Sequence, residues 1–162
     1  MVNKMAVFLL GFFLSVTLAF AEQKIVPSDT KIILERTMCY GTCPVYKLMI
    51  YADGKIEFFG EKFVNAIGQQ VKTIPQEKIA SILAEVDGIK FFELNGDYGC
   101  YDVTDNPTAK ITITKEGKTK QIVHYHGCRS ANEKELAALT KLEDKIDELA
   151  EIADWVKHER NR

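Results

Sequence analysis

Thr37-Met38-Cys39-Tyr40-Gly41-Thr42-Cys43-Pro44-Val45-Tyr46 sets two cysteines, a glycine and a proline between two apolar runs, which makes a rigid corner with strands leaving it on either side. Upstream, Lys31 to Thr37 is a short β-type run. Downstream of Pro44, whose nitrogen cannot donate to a ladder, Val45 to Tyr51 is a strand with apolar residues on both faces. Asp53-Gly54 then stands between β-type residues, a hairpin signal. A two-residue turn there predicts Tyr51 opposite Ile56 and Met49 opposite Phe58 on the core face, with Ile50 opposite Glu57 on the other. Phe63 to Thr73 reads as a further strand, interrupted near Gly68 by a turn or bulge.

Helical spacing follows. Thr73 and Gln76 offer a capping box, Pro75 suits a first turn, Ile79, Ile82, Leu83 and Val86 recur at helical intervals, and Gly88 ends the segment. Asn95 to Pro107 is a long loop rich in Gly, Asp and Asn. Thr108 to Thr114 and Lys118 to His126 form a second hairpin about Glu116-Gly117, with Ile111 opposite Ile122 and Ala109 opposite His124 on the buried face. Ser130-Ala131-Asn132-Glu133 is a capping box, and Leu136, Leu139, Leu142, Ile146, Leu149, Ile152 and Val156 mark one amphipathic helix. Strands, helix, strands, helix, without βαβ alternation, predict an α+β two-layer sandwich: a mostly antiparallel sheet with two helices packed on one face.

The first residues differ in kind. Lys4 precedes an uncharged apolar run that ends in Ala19-Phe20-Ala21, the pattern of a secretory signal, so residues 1–21 are expected to be removed and the mature chain to begin at Glu22. Residues 22–31, polar and carrying Pro27, Ser28 and Asp29, read as a flexible lead-in to a single domain over 32–158. An uncleaved anchor helix is the competing reading of the first segment. The 162 residues are 46% apolar and 27% charged, a globular composition. Without residues 1–21 the chain carries 20 Lys+Arg against 23 Asp+Glu, a net charge of −3 with the cations scattered among acids, so no nucleic-acid surface is expected.

An exported chain with an even number of cysteines is expected to pair them. Cys39, Cys43, Cys100 and Cys128 allow three pairings, and Cys39–Cys43 with Cys100–Cys128 is the one expected, the first ring closing about Gly41. In the chain-entropy view the short ring stabilises by roughly 2 kcal/mol and the longer loop by roughly 3.5 kcal/mol, so Cys100→Ser should cost more than Cys39→Ser, by roughly 1 kcal/mol.

Chemistry is harder to place. Cys39 and Cys43 offer a thiol–disulfide redox pair, but redox motifs of the thioredoxin type place Cys-x-x-Cys at a helix start, and here a Pro44-led strand follows. His124, His126 and Cys128 alternate, so on a continuing strand they face one way, and with Cys39 or Cys43 they would make a tetrahedral N/S zinc set. Against that set, Gly127 ends the strand and His124 falls on the apolar face. Glu93, Asp97, Asp102 and Asp105 crowd the long loop without calcium-loop spacing, and Ser28, Ser81 and Ser130 lack a nucleophile-elbow context. Phe58, Phe59, Phe63, Phe91, Phe92, Tyr46 and Tyr51 read as core, exposed members alone marking a binding face. No catalytic, cofactor-binding or metal residue is assigned, and no cofactor.

The Cys39-x-Gly41-x-Cys43-Pro44 core, followed by Ile50 and Asp53-Gly54, resembles the bacterial exported family catalogued as domain of unknown function 6438. The resemblance runs from about Ile32 to Trp155 and includes the Pro75 helix start, Asp105-Asn106-Pro107 and the His124-Tyr125 strand end. Cys100 and Cys128 are less typical of it, as an added pair would be. The resemblance implies exported location and single-domain extent, and no activity. The reading that results is a disulfide-stapled binding module of the cell envelope, periplasmic or secreted, without catalysis. Its partner is an envelope protein or ligand, and it has no membrane span after signal cleavage. The alternatives are a redox factor using Cys39/Cys43 or a zinc protein using His124/His126/Cys128.

Overall fold

The computed structural model describes residues 25–100, 103–128 and 132–156. The expected signal segment, the Ser130-Ala131 half of the second capping box, Tyr101 and Asp102 lie outside them. Seven strands, β1 (Lys31–Arg36), β2 (Val45–Tyr51), β3 (Lys55–Lys62), β4 (Gly68–Thr73), β5 (Asp97–Tyr98), β6 (Thr108–Lys115) and β7 (Lys118–Tyr125), join in the order β4-β3-β2-β1-β6-β7-β5. All neighbours are antiparallel except β5 and β7, so the fold is the α+β sandwich expected. Helix α1 (Gln76–Gly88) and helix α2 (Glu133–Leu149) form the second layer, followed by the short α3 (Ala153–Val156).

Alternation along the strands selects the buried face. Ile32 and Leu34 of the central β1, Leu48 and Ile50 of β2, and Ile111 and Ile113 of β6 are fully buried against Ile79, Ile82, Leu139 and Ile146 of the helices. Glu85 of α1 ties the helices together through Lys141 and Lys145 of α2, at 3.0 and 3.1 Å. No helix among the described residues is long and apolar enough to cross a membrane.

The second hairpin has its expected register, Ile111 opposite Ile122 and Ala109 opposite His124, around a two-residue turn whose Glu116 and Gly117 both have positive φ. The turn is held from outside, since the Asp29 carboxylate accepts bonds from the Glu116 and Gly117 amides. The first hairpin departs from expectation. Ile50 lies opposite Ile56, Leu48 opposite Phe58 and Met49 opposite Glu57, because the loop has three residues, Ala52 to Gly54, and not two. That slip of one residue turns β2 over: Tyr46, Leu48 and Ile50 are buried, and Met49 and Tyr51 face outward.

Gly54 makes the three-residue loop possible. Its φ is +91°, its amide bonds the Tyr51 carbonyl at 3.0 Å, and its carbonyl accepts the Ile74 amide at 2.9 Å. A Cβ on Gly54 would stand 2.2 Å from the Ile74 oxygen. Gly54→Ala is therefore expected to cost about 2 kcal/mol in urea unfolding, combining the positive-φ penalty with a backbone clash. A loss below about 0.5 kcal/mol, the ordinary scatter of surface changes, would show that this loop does not set the register.

Three further expectations are corrected. The strand expected over Phe63 to Thr73 begins only at Gly68, because Phe63 has φ +55° and the connection after β3 turns there, docking its Ala66 amide on the Trp155 carbonyl. The Thr73/Gln76 capping box does not form: Thr73 belongs to β4, Pro75 is the N-cap, and Gln76 donates to the Ala52 carbonyl. The final helix does not run through to Val156. It stops at Leu149, and Glu151 has φ +54°, with its carboxylate paired to Lys78.

Candidate functional site

One register row crosses four strands on the buried face: Tyr46 of β2 opposite Arg36 of β1, Arg36 opposite Ala109 of β6, and Ala109 opposite His124 of β7. Three of the four are polar, at the edge of an otherwise aliphatic layer. Helix α2 answers them with Glu143 and Asp147, one turn apart on the same face. Ala109 is the one short side chain in the row, and Glu143 bonds to residues on both sides of it. The carboxylate of Glu143, 0% exposed, accepts from Arg36 Nη1 at 3.2 Å, and lies 2.7 Å from His124 Nδ1 and 2.9 Å from His126 Nε2. Asp147 accepts from Arg36 Nη2 at 2.8 Å and from the Tyr46 hydroxyl at 2.7 Å.

His126 follows β7 directly and keeps the facing of His124, so the two rings stack with centroids 4.3 Å apart. Burial opposes charge throughout the cluster, and its partners decide each outcome. Burial pushes the Glu143 carboxyl up, but the bonds from His124 and His126, with the charge at His126 and Arg36, overcome it and hold the group at about 2. Burial wins at Asp147, which is raised despite Arg36. Arg36 is held charged more firmly than usual: burial works against it, and Asp147 and Tyr46 outweigh that.

Both disulfides lie at this same end of the sheet. Cys39 is joined to Cys43 and Cys100 to Cys128, each pair with Cα atoms 5.7 Å apart. The Cys39–Cys43 ring is also fixed by its backbone: the Thr37 amide donates to the Thr108 carbonyl and the Tyr40 amide to the Asp105 carbonyl, each at 3.0 Å. No helix starts at this corner; the chain passes from Pro44 into β2. Tyr40 within the ring is 88% exposed, and Met38 immediately before it 59% exposed.

The zinc set read from alternation is thus not assembled. His124 and His126 do come together, but β7 ends at Tyr125, the sulfur of Cys128 is bonded to Cys100, and Cys39 and Cys43 are bonded to each other. Glu143 stands where the fourth partner was sought. Asp102 lies outside the described residues; of the other loop acids, Glu93 pairs with Lys90 and Asp97 accepts the Gly99 amide, and none of them joins a metal-ligating cluster among the described residues. Ser81 donates back to the Glu77 carbonyl within α1. Of the aromatic residues, Phe58, Phe91 and Tyr46 are core, whereas Phe59 is exposed on the outer sheet face with Val71.

Sequence reasoning missed Arg36, Tyr46, Glu143 and Asp147, although a signal existed for two of them. Arg36 continues the inward alternation of Ile32 and Leu34, and Glu143 interrupts the apolar stripe between Leu139 and Ile146. A charge at a core position requires a partner. A family model described as domain of unknown function (DUF6438) matches residues 30–150. No curated protein matches the chain.

Proposed function

The chain belongs to the family described as domain of unknown function (DUF6438), and from that premise we propose that it is an exported, disulfide-stapled binding module of the cell envelope, without catalysis of its own. The observation that carries this reading is the Cys39–Cys43 ring, which displays Tyr40 to solvent from a covalently closed, backbone-anchored turn, with exposed Met38 just before it. A large aromatic on a backbone fixed before binding has less chain freedom to lose on contact, and such residues supply much of the affinity at protein interfaces. Paired cysteines are the state that oxidising compartments sustain, which supports export. The buried setting of the Arg36, His124, Glu143 cluster supports a structural role for it and not the turnover of a substrate.

The partner is an envelope protein that contacts the ring. A photo-crosslinking residue placed at Tyr40 in the exported protein is expected to capture one discrete adduct, and the same residue at Glu77, exposed at the opposite end of the sheet, is not. The captured chain should have the intact mass of a species beginning at Glu22. With the purified partner, Tyr40→Ala should weaken binding at least about tenfold, the effect of losing a hot-spot side chain. Equal adducts at both positions, or none at Tyr40, would sink the reading.

A further inference from the structure

We propose that His124, His126 and Glu143 form a binding site for one divalent transition-metal ion of the zinc class, coordinated by His124 Nδ1, His126 Nε2 and a carboxylate oxygen of Glu143. This goes beyond the binding reading and does not depend on it. The three ligand atoms lie within 4.8 Å of one another and come from two rigid elements, the end of β7 and the middle of α2. Metal–ligand bonds of roughly 2.0–2.1 Å in tetrahedral array put ligand atoms about 3.4 Å apart. The nitrogens stand 2.7 and 2.9 Å from the carboxylate oxygens, so small side-chain rotations open the required space.

The donor set selects the ion. Two imidazoles and one carboxylate suit zinc and its first-row neighbours, whereas calcium and magnesium prefer oxygen alone. Every cysteine is in a disulfide, so no thiolate competes for the ion. Arg36 Nη1, already on Glu143 Oε2, is placed as the outer-shell donor that orients a coordinating carboxylate. Each ring must turn a lone pair to the ion, which a neutral imidazole does by carrying its hydrogen on the other nitrogen. The His126 side chain, 26% exposed, marks the side from which an ion enters and where water completes the coordination.

The test uses the full exported chain with both disulfides intact, stripped by chelator and titrated with Co²⁺ alone and then with Zn²⁺. Visible Co²⁺ absorption saturating at one equivalent, and abolished by one equivalent of Zn²⁺, is the expected result. His126→Ala should weaken binding by more than the ~10–100-fold that loss of an outer-shell partner costs. Replacing His158, the third histidine of the chain, should change nothing. X-ray absorption of the wild-type zinc form supplies a readout that needs no variant: two imidazoles and an oxygen ligand near ~2.0–2.1 Å, with no sulfur near ~2.3 Å. No stoichiometric uptake, a sulfur shell, or binding that survives His126→Ala and disappears with His158→Ala overturns the proposal.

Discussion

The Glu143→Ala protein is expected to unfold with a loss of about 3–5 kcal/mol, the cost of removing one partner from a buried charge network. Glu143 is the only carboxylate reached by both histidines among the described bonds, and its removal leaves the buried His124 Nδ1 and one Arg36 nitrogen without their acceptor. Arg36 keeps Asp147, which places the effect toward the lower end of that range. Glu143→Gln should fall between wild type and alanine, because the amide preserves shape and one acceptor but turns its NH₂ toward groups that are themselves donors. The pH dependence follows from the same carboxylate. Its folded pKa of about 2 lies below the ordinary 4.5, so its contribution is complete above about pH 4.5 and is lost as pH falls toward 2. Urea unfolding in chelator from pH 7 to 2 should therefore show the gap between wild type and Glu143→Gln closing on the acid side. A gap that stays constant to pH 2, or an alanine cost under about 1 kcal/mol, the net worth of one ordinary hydrogen bond, would show that the network does not carry this stability.

How much of this was legible in the sequence depended on whether local chemistry fixed a register. Glu116-Gly117 accommodates a two-residue turn between β6 and β7, and every pair along that hairpin followed from it. Asp53-Gly54 carries the same local signal, yet the loop takes in Ala52 as well. A glycine of positive φ serves both loop lengths, and the side-chain period of two converts the one-residue difference into the opposite face. What selects the longer loop is tertiary, the contact between Gly54 and Ile74. The polar cluster was less legible for a related reason. Arg36 and Asp147 are 111 residues apart, and they meet only in the tertiary fold, where α2 packs over the row that β1 forms with β2 and β6. Local patterning reveals that Arg36 and Glu143 occupy core positions; it does not reveal that each is the answer to the other. The His124–His126 alternation was legible as a pair facing one way. Its partner was sought among nearby cysteines, when it came from the helix packed above.

Severing Cys100–Cys128 by double replacement with serine is expected to cost about 3.5 kcal/mol, against about 2 kcal/mol for the same change at Cys39–Cys43. Loop length sets the order, since the cysteines are 28 residues apart in the first pair and 4 in the second, and a cross-link stabilises chiefly by restricting the unfolded chain. The folded state points the same way. The Cys39–Cys43 turn retains its bonds to Asp105 and Thr108 when its sulfurs are removed. By contrast, β5 touches the sheet through two paired positions, Asp97 with Val123 and Tyr98 with His124, and the Cys100 bridge is the covalent tie that follows directly. Hydrogen exchange on the Cys100→Ser/Cys128→Ser protein should accordingly show early loss of protection at the β5–β7 edge, with β1, β2 and β3 still protected. Because His124 belongs to that edge, the same loosening should reach the Glu143 cluster before the rest of the core. Equal costs for the two double variants, or a larger one at Cys39–Cys43, would mean that local order at the corner, and not chain entropy, governs what these bridges contribute.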